Sequence, residues 1–322
     1  MASDVYFIDE AAKKRFKRQR IAFNILTYTF LTICALFMLI PFYYMIITSL
    51  KSPEALNNEM YSKTLNLFPS FDQLTLQNYR IVIYGSGYPN TAKTFAEGNF
   101  IRYFANTIFV AVCSTIITVV TCVLSAFAFA RLEFKGKNLL FTLLLATMMV
   151  PGEMMIITNF TTVTMIGWRD TYQALIITHA VSVFYIYYLR QTFQQIPNEL
   201  YLAAKVDGYG VFKYLWKVMI PIAMPTIVTI IILSVMGSWN AYMWPTMITH
   251  SDNMKLVANG LMDLFASFTG GTTSDQLLNL GYEYTDNLRL AGSFMVTLPL
   301  FIFFLCFRKY IMRGVSRSGI KG

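Results

Sequence analysis

Six long apolar runs, separated by polar segments, dominate the pattern of this chain. They lie at Ala22–Leu50, Phe104–Ala130, Leu139–Phe160, Gln173–Leu189, Ile222–Trp244 and Leu290–Phe307. Most reach the ~20 residues that an α-helix needs to cross ~30 Å of hydrocarbon, and the fourth is the shortest. The first is too long for a secretory signal peptide, and no small-residue cleavage site follows it. The pattern predicts an all-α polytopic membrane protein with six transmembrane helices.

The composition agrees with a location in lipid. Of the 322 residues, 56% are hydrophobic and 13% are charged, and the mean hydropathy is +0.50. A chain of this composition is too apolar for a soluble globular protein, and the composition indicates a protein embedded in membrane lipid.

Lys and Arg residues are distributed unevenly between the two predicted sides of the membrane. Most of the 26 fall before the first span, in 131–138, in 190–221 and after residue 307. The positive-inside rule places these segments and both termini in the cytosol. This topology also explains the net charge of +9, so nucleic acid is not an expected partner. The predicted organisation is a cytosolic tail at 1–21, a first helix at 22–50, an extracytoplasmic segment at 51–101, a five-helix core at 102–307 with a cytosolic segment at 190–221 and an extracytoplasmic loop at 245–289, and a cytosolic tail at 308–322.

A polar island between the fourth and fifth spans, residues 196–221, carries the most information about function. Pro197 suits a helix start, and Glu199 places negative charge at the electropositive end of that helix. Asp207-Gly208 is expected to break the helix, because Gly tolerates positive φ. A second amphipathic helix then ends at Pro221. A structured segment of this kind, kept between two spans, indicates a docking surface.

The island resembles the EAA loop of ATP-binding-cassette importer permeases, a Pro-x-Glu-Leu-x-Glu-Ala-Ala-x-(Ile/Val)-Asp-Gly pattern with a later Pro. The matches are Pro197, Glu199, Leu200, Ala203, Ala204, Val206, Asp207, Gly208 and Pro221, and Leu202 stands where the pattern has its second Glu. The resemblance implies a type I importer permease fold in which the loop couples to a partner ATPase. The implied coupling residues are Pro197, Glu199, Leu200, Leu202, Ala203, Ala204, Lys205, Asp207, Gly208 and Tyr209. Leu202 carries no charge for a salt bridge to the ATPase, but the implied docking role does not depend on that salt bridge.

Further short motifs resemble the carbohydrate branch of these permeases, and specifically the smaller permease subunit of the maltose-transporter type. They are Asn106-Thr107, 125–131, 134–137, 148–151, 167–172, Trp239-Asn240 and the terminal 314–322. The resemblance implies a sugar or oligosaccharide substrate, a second and larger permease, two ATPase subunits and an extracytoplasmic solute-binding protein. It places the complex in a bacterial or archaeal cytoplasmic membrane, with ATP and Mg²⁺ on the ATPase and no cofactor on this chain. It also implies that the tail, through Ser318, Gly319 and Lys321, contacts the ATPase subunits.

Five residues are candidates for a translocation pathway. An amide within hydrocarbon needs partners, so Asn240 is expected to line the pathway or to bond between helices. Trp239 and Tyr242 fit a pathway or an interfacial aromatic belt. Glu153 and His179 are ionisable residues within or near spans and are functional candidates by default, although both could reach water by snorkelling.

Missing motifs narrow the function further. Gly136-Lys137 lacks the surroundings of a phosphate-binding loop, so ATP hydrolysis is expected in a separate chain, and this chain is not predicted to be an enzyme. Cys34, Cys113, Cys122 and Cys306 all lie in spans without a pattern for metal ligation, and they are predicted to be small buried hydrophobes. The alternatives that stay open are another substrate branch of the same importers, such as amino acids or peptides, and an ion-coupled carrier.

Overall fold

The computed structural model describes residues 10–84, 100–267 and 285–316. In these ranges the chain is built from α-helices, and its β-pairing is limited to a bridge between Lys51 and Leu74. The helices are α1 Glu10–Leu50, α2 Pro53–Ser62, α3 Gln77–Tyr84, α4 Phe100–Arg131, α5 Lys137–Ala146, α6 Gly152–Met165, α7 Tyr172–Ile176, α8 Val183–Gln194, α9 Asn198–Val206, α10 Val211–Tyr214, α11 Ile220–Trp239, α12 Met243–Ile248, α13 Val257–Ser267 and α14 Asp286–Ser316.

The predicted all-α membrane fold is confirmed. Among the described residues, four helical segments are long and apolar enough to cross a membrane: Arg15–Leu50, Phe100–Arg131, Val211–Trp239 and Asp286–Tyr310. Two bent helix pairs raise the number to as many as six if each pair counts as one span.

The third predicted span, Leu139–Phe160, is not one straight helix. It consists of Lys137–Met149 and Gly152–Met165, which meet at an angle of 98°. Pro151 explains the break, since a residue before proline is pushed out of the α-region, and Val150 has φ −84° and ψ 120°.

Both predicted ends of the fifth span, Ile222–Trp244, differ from the ends of the observed helix. At its start, the helix that begins at Val211 runs through Pro221 without a break, so the expected helix end at Pro221 is wrong. A π-helical turn at Leu215–Met219 widens the backbone just before the proline. We infer that this widening makes room for the proline ring, which would otherwise meet the carbonyl group one turn earlier. At its end, the helix stops at Trp239, and Trp244 lies in the separate helix α12.

Helix α4 lies at the centre of the fold and packs against α8 and α11, whereas α1 packs mainly against α14. The apolar side chains of α1 from Phe16 to Phe42 are mostly exposed, as expected for a helix that faces lipid or another subunit.

A buried polar junction fixes the end of α1 to α3 and α14. The Lys51 ammonium is fully buried and lies 2.7 Å from the Glu59 carboxylate. The side-chain amides of Asn78 and Asn287 donate to the Lys51 carbonyl group at 2.8 and 3.2 Å. Because buried polar groups are costly without partners, this set of bonds specifies how the three helices meet.

Candidate functional site

The predicted docking island forms two helices joined by a tight turn, and we call residues 196–219 the elbow. Its first helix, α9, follows Pro197, which occupies the N-cap position with φ −57°, and Glu199 lies in the first turn. A carboxylate there interacts favourably with the positive end of the helix dipole.

Gly208 makes the turn of the elbow possible. Its φ is +72°, in the left-handed region that favours glycine. The Gly208 N–H donates to the Lys205 carbonyl at 3.1 Å, and the Tyr209 N–H donates to the Ala204 carbonyl at 2.8 Å. This pair of bonds is the Schellman arrangement that closes a helix end. Asp207 is the C-cap of α9, and Gly210 precedes the next helix.

The inner side of the elbow belongs to the apolar core. Tyr214 and Leu215 are fully buried in a cluster that also holds Phe127 and Phe193 from α4 and α8. Ala204 is 5% exposed and joins the same cluster. Ala204, one of the implied coupling residues, therefore faces the core of its own chain and not a partner. Its small side chain lets α9 approach its own chain closely, and Ala203 is the exposed member of the pair.

Two arginines tie the membrane helices together where the elbow begins. Arg131, the last residue of α4, donates to the carbonyl of Phe193 at 3.1 Å and to that of Ile196. Arg190 on α8 donates in the opposite direction, to the Phe129 carbonyl at 3.1 Å. The last carbonyls of a helix lack partners within the helix, so each arginine caps the end of the other helix. These bonds connect the elbow rigidly to α4 and α8.

The outer face of the elbow is apolar and exposed. Val206 is 88% exposed, Phe212 68% and Trp216 65%. Glu199, Leu200, Leu202, Lys205 and Asp207 are also exposed on α9 and its end. Large apolar side chains grouped on an exposed surface are typical of a protein interaction site.

A second feature is a cavity of about 420 Å³ between α4, α8 and α11, with hydroxyl groups in a largely apolar lining. Its buried lining includes Ser114 and Thr118 from α4, Ser234 from α11, and Trp244 from α12. Its exposed lining includes His179, whose ring lies 5.9 Å from that of Trp244 in an edge-on arrangement.

The cavity lies beside a break in the fourth predicted span. Gln173–Leu189 is two segments, Tyr172–His179 and Val183–Gln194, which meet at 43°. Thr118 donates to the His179 carbonyl at 3.2 Å, and Thr121 donates to the Ala180 carbonyl at 2.7 Å. A broken helix within a membrane is tolerated where side chains satisfy the freed carbonyls, and two threonines of α4 do so here.

The five predicted pathway residues lie in different places. His179 lines the cavity. Trp239 is buried against Phe104, and its indole N–H donates to the Val296 carbonyl at 3.2 Å, so it packs α11 against its neighbours.

The remaining three do not line the cavity. Asn240 is exposed and donates to the Met236 carbonyl of its own helix at 3.0 Å, so this bond does not join two helices. Tyr242 and Glu153 are exposed. The predicted tail contacts Ser318, Gly319 and Lys321 lie outside the described residues.

Sequence reasoning missed the hydroxyl residues of the cavity. Ser114 and Thr118 are four residues apart on α4, as are Ser234 and Ser238 on α11, so each pair shares a helix face. This spacing is a usable signal, but the same spacing also occurs in helices that merely pack closely.

Comparisons with known proteins identify the chain. Residues 119–317 match the family described as binding-protein-dependent transport system inner membrane component. The chain belongs to this family. The resemblance to importer permeases is thereby confirmed, and such permeases are transport components and not enzymes.

Several transport permeases are similar to this permease over most of their length. It is 27% identical over 293 residues to the arabinooligosaccharides transport system permease protein AraQ of Bacillus subtilis (strain 168), covering 91% of this chain and 94% of that protein. It is 27% identical to the inner membrane ABC transporter permease protein YcjP of Escherichia coli (strain K12), covering 89% and 94%.

A solved structure shares the fold. A chain of a bacterial ABC transporter involved in the import of the acidic polysaccharide alginate superposes with a TM-score of 0.78 at 23% identity. The match covers 91% of this permease and 98% of that chain.

Proposed function

We propose that this permease is a subunit of an ATP-driven importer that moves a sugar or oligosaccharide across the cytoplasmic membrane by alternating access. Membership of the binding-protein-dependent family and the similarity to named sugar permeases support the proposal. The observation that carries it is the elbow, whose apolar outer face is exposed while its inner face is locked into the membrane helices.

The mechanism is a conformational relay. When ATP closes a pair of partner ATPase subunits, the elbow moves with the cleft that holds it. Because Arg131 and the buried cluster join the elbow to α4 and α8, the displacement is transmitted to the helices around the cavity. Packed helices shift between discrete arrangements and do not deform continuously, so the cavity opens alternately to the two sides.

The proposed assembly contains this permease, a second and larger permease, two ATPase subunits that bind ATP and Mg²⁺, and an extracytoplasmic solute-binding protein. Both termini and the elbow lie in the cytosol of a bacterial or archaeal cell in this arrangement. The excess of Lys and Arg in these segments supports this orientation.

Docking on the elbow is tested by charging its exposed face. In Val206→Glu a carboxylate replaces an 88% exposed valine, so folding is unaffected, while a desolvated interface loses apolar contact. Burying a valine contributes about 1.5–3 kcal/mol, so affinity for the ATPase subunit falls about tenfold or more.

The measurement is co-purification of the ATPase subunit from the same organism with the tagged permease in detergent. The matched control is Thr246→Glu, an exposed position on α12, which leaves co-purification unchanged. Unchanged recovery of the ATPase with both Val206→Glu and Phe212→Glu would exclude the elbow as the docking site.

A further inference from the structure

The lining of the cavity combines apolar side chains with several hydroxyl groups, and it carries no full charge among the described residues. Of its sixteen lining residues, all in the described part of the chain, none is Asp, Glu, Lys or Arg. The hydroxyl-bearing residues are Ser114, Thr118, Thr178, Ser182, Tyr185, Ser234 and Ser238. A membrane helix can use one such residue for packing, but seven around one space also place hydrogen-bonding groups in an otherwise apolar wall.

Two of these hydroxyls already donate their proton within the chain. Thr118 donates to the His179 carbonyl at 3.2 Å, and Thr178 donates to the Ala174 carbonyl at 2.6 Å. A hydroxyl that donates keeps its lone pairs as acceptors. The wall therefore offers oxygen acceptors to a ligand that brings its own O–H donors, as a sugar does.

The charged group of an anionic ligand has no such O–H donors. A carboxylate or phosphate has only acceptor atoms on its charged oxygens, so the hydroxyl oxygens of Thr118 and Thr178, whose protons are already used, repel it. No cation lines the cavity to compensate. A charge that leaves water without a partner is strongly unfavourable, so a uronic acid or a sugar phosphate is disfavoured here.

Size and aromatic content also suit a sugar ring. The volume of about 420 Å³ lies within the range of small-molecule sites, roughly 300–1,000 Å³. Trp244, Tyr185 and His179 add ring surfaces to the lining. Trp244 is held in place because its indole N–H donates to the Ala174 carbonyl at 3.0 Å. Rigid aromatic walls with a few placed polar groups are typical of ligand sites.

We propose that this permease itself contacts the passing glycan in the cavity between α4, α8 and α11, and that the cavity accepts neutral sugars and disfavours acidic or phosphorylated ones. The inference rests on the proposed function as a glycan importer and adds the substrate class. It also places a substrate contact on this subunit.

Protection of an introduced cysteine tests the proposal. Ser238→Cys is nearly isosteric and places a thiol in the cavity wall, and Ser114→Cys provides a second position on α4. The purified complex in lipid nanodiscs is alkylated with N-ethylmaleimide, and the modified peptide is quantified by mass spectrometry. The probes are maltotriose and xylotriose as neutral trisaccharides and trigalacturonate as the acidic one, at equal concentrations.

We expect the neutral trisaccharides to slow alkylation of both cysteines, about threefold at a concentration twice the Kd, and trigalacturonate to leave the rate unchanged. Thr246→Cys, which is exposed outside the cavity, reacts at the same rate with every probe. If trigalacturonate protects as well as the neutral trisaccharides or better, the proposed preference for neutral sugars is wrong. If no trisaccharide protects either cysteine, the proposed contact between the cavity and the glycan is wrong.

The proposed function is assessed in the same sample. Recovery of the ATPase subunit with the permease reports on the importer assignment, while alkylation reports on the cavity. An assembled complex without protection therefore refutes the cavity proposal alone, and a permease that never recovers an ATPase refutes the importer proposal alone.

Discussion

Replacement of Gly208 by proline tests how the elbow transmits motion. Gly208 has φ +72°, whereas proline fixes φ near −65°, so the present turn is not available to the variant. Proline also lacks the N–H that donates to the Lys205 carbonyl at 3.1 Å. Rearranging the turn removes the Tyr209 bond to Ala204 as well.

The size of the effect follows from these losses. Each of the two hydrogen bonds contributes about 0.5–1.5 kcal/mol, and leaving the left-handed region displaces the second helix of the elbow as well. The turn is therefore destabilised by about 1–3 kcal/mol. The substitution adds no clash beyond this change of the turn, because no heavy atom outside the neighbouring residues lies within 4 Å of a Cβ added at Gly208.

The matched control is Gly208→Asn. Asparagine is among the residues that adopt positive φ most readily, and the open space around Gly208 accommodates its side chain. The control therefore keeps the turn at a cost of about 1 kcal/mol or less.

The assay compares labelled glycan uptake and ATP hydrolysis in proteoliposomes that contain the whole complex. We expect Gly208→Pro to insert at the normal level while uptake falls at least about tenfold, the equivalent of about 1.4 kcal/mol. Gly208→Asn retains most of the uptake. Equal uptake by the two variants would refute the view that the turn geometry transmits motion.

Three further predictions follow from particular contacts. Arg131→Gln should lower uptake per ATP hydrolysed without releasing the ATPase, because the two carbonyls that Arg131 caps lose a charged donor. Arg131→Lys should restore part of the coupling. An equal ratio of uptake to ATP hydrolysis in the two variants would contradict the anchoring role. Trp239→Ala should lower the thermal unfolding temperature strongly, in line with about 3–5 kcal/mol for truncation of a buried Trp, and it should leave substrate preference unchanged. An altered substrate preference without destabilisation would instead support a role of Trp239 in the pathway. Burial acts to raise the pKa of Asp170, but hydrogen bonds from residues 250 and 251 outweigh burial and lower that pKa. These bonds therefore stabilise the loop above about pH 4, and their contribution is lost as the pH falls through the lowered pKa. Faster hydrogen exchange of the two backbone amides only below about pH 4 checks this prediction.

The apolar runs predicted where membrane helices lie, because burial in lipid requires long uninterrupted apolar sequence. Local chemistry also predicted the elbow turn, since Gly208 has the positive φ expected of it. These features depend on a few neighbouring residues, so they can be read from the chain alone.

Features that depend on several distant segments could not be predicted. Pro151 and Pro221 look alike in sequence, yet one accompanies a 98° break and the other lies inside a continuous helix. A π-helical turn precedes Pro221, and part of it is buried against α4 and α8, which are distant in sequence. The cavity was missed for the same reason, because a serine on α4 and a serine on α11 form one wall only after the helices pack.

The most direct test of the account is to ask what touches the elbow in the assembled transporter. Val206→Cys carries a benzophenone label at an 88% exposed position, and Thr246→Cys carries the same label on α12. After illumination of native membranes, the account predicts a crosslinked product between the labelled elbow and the ATPase subunit, and none from Thr246→Cys. If Val206→Cys yields no ATPase adduct, or Thr246→Cys yields the same adduct, the elbow is not the site where ATP-driven motion enters the permease.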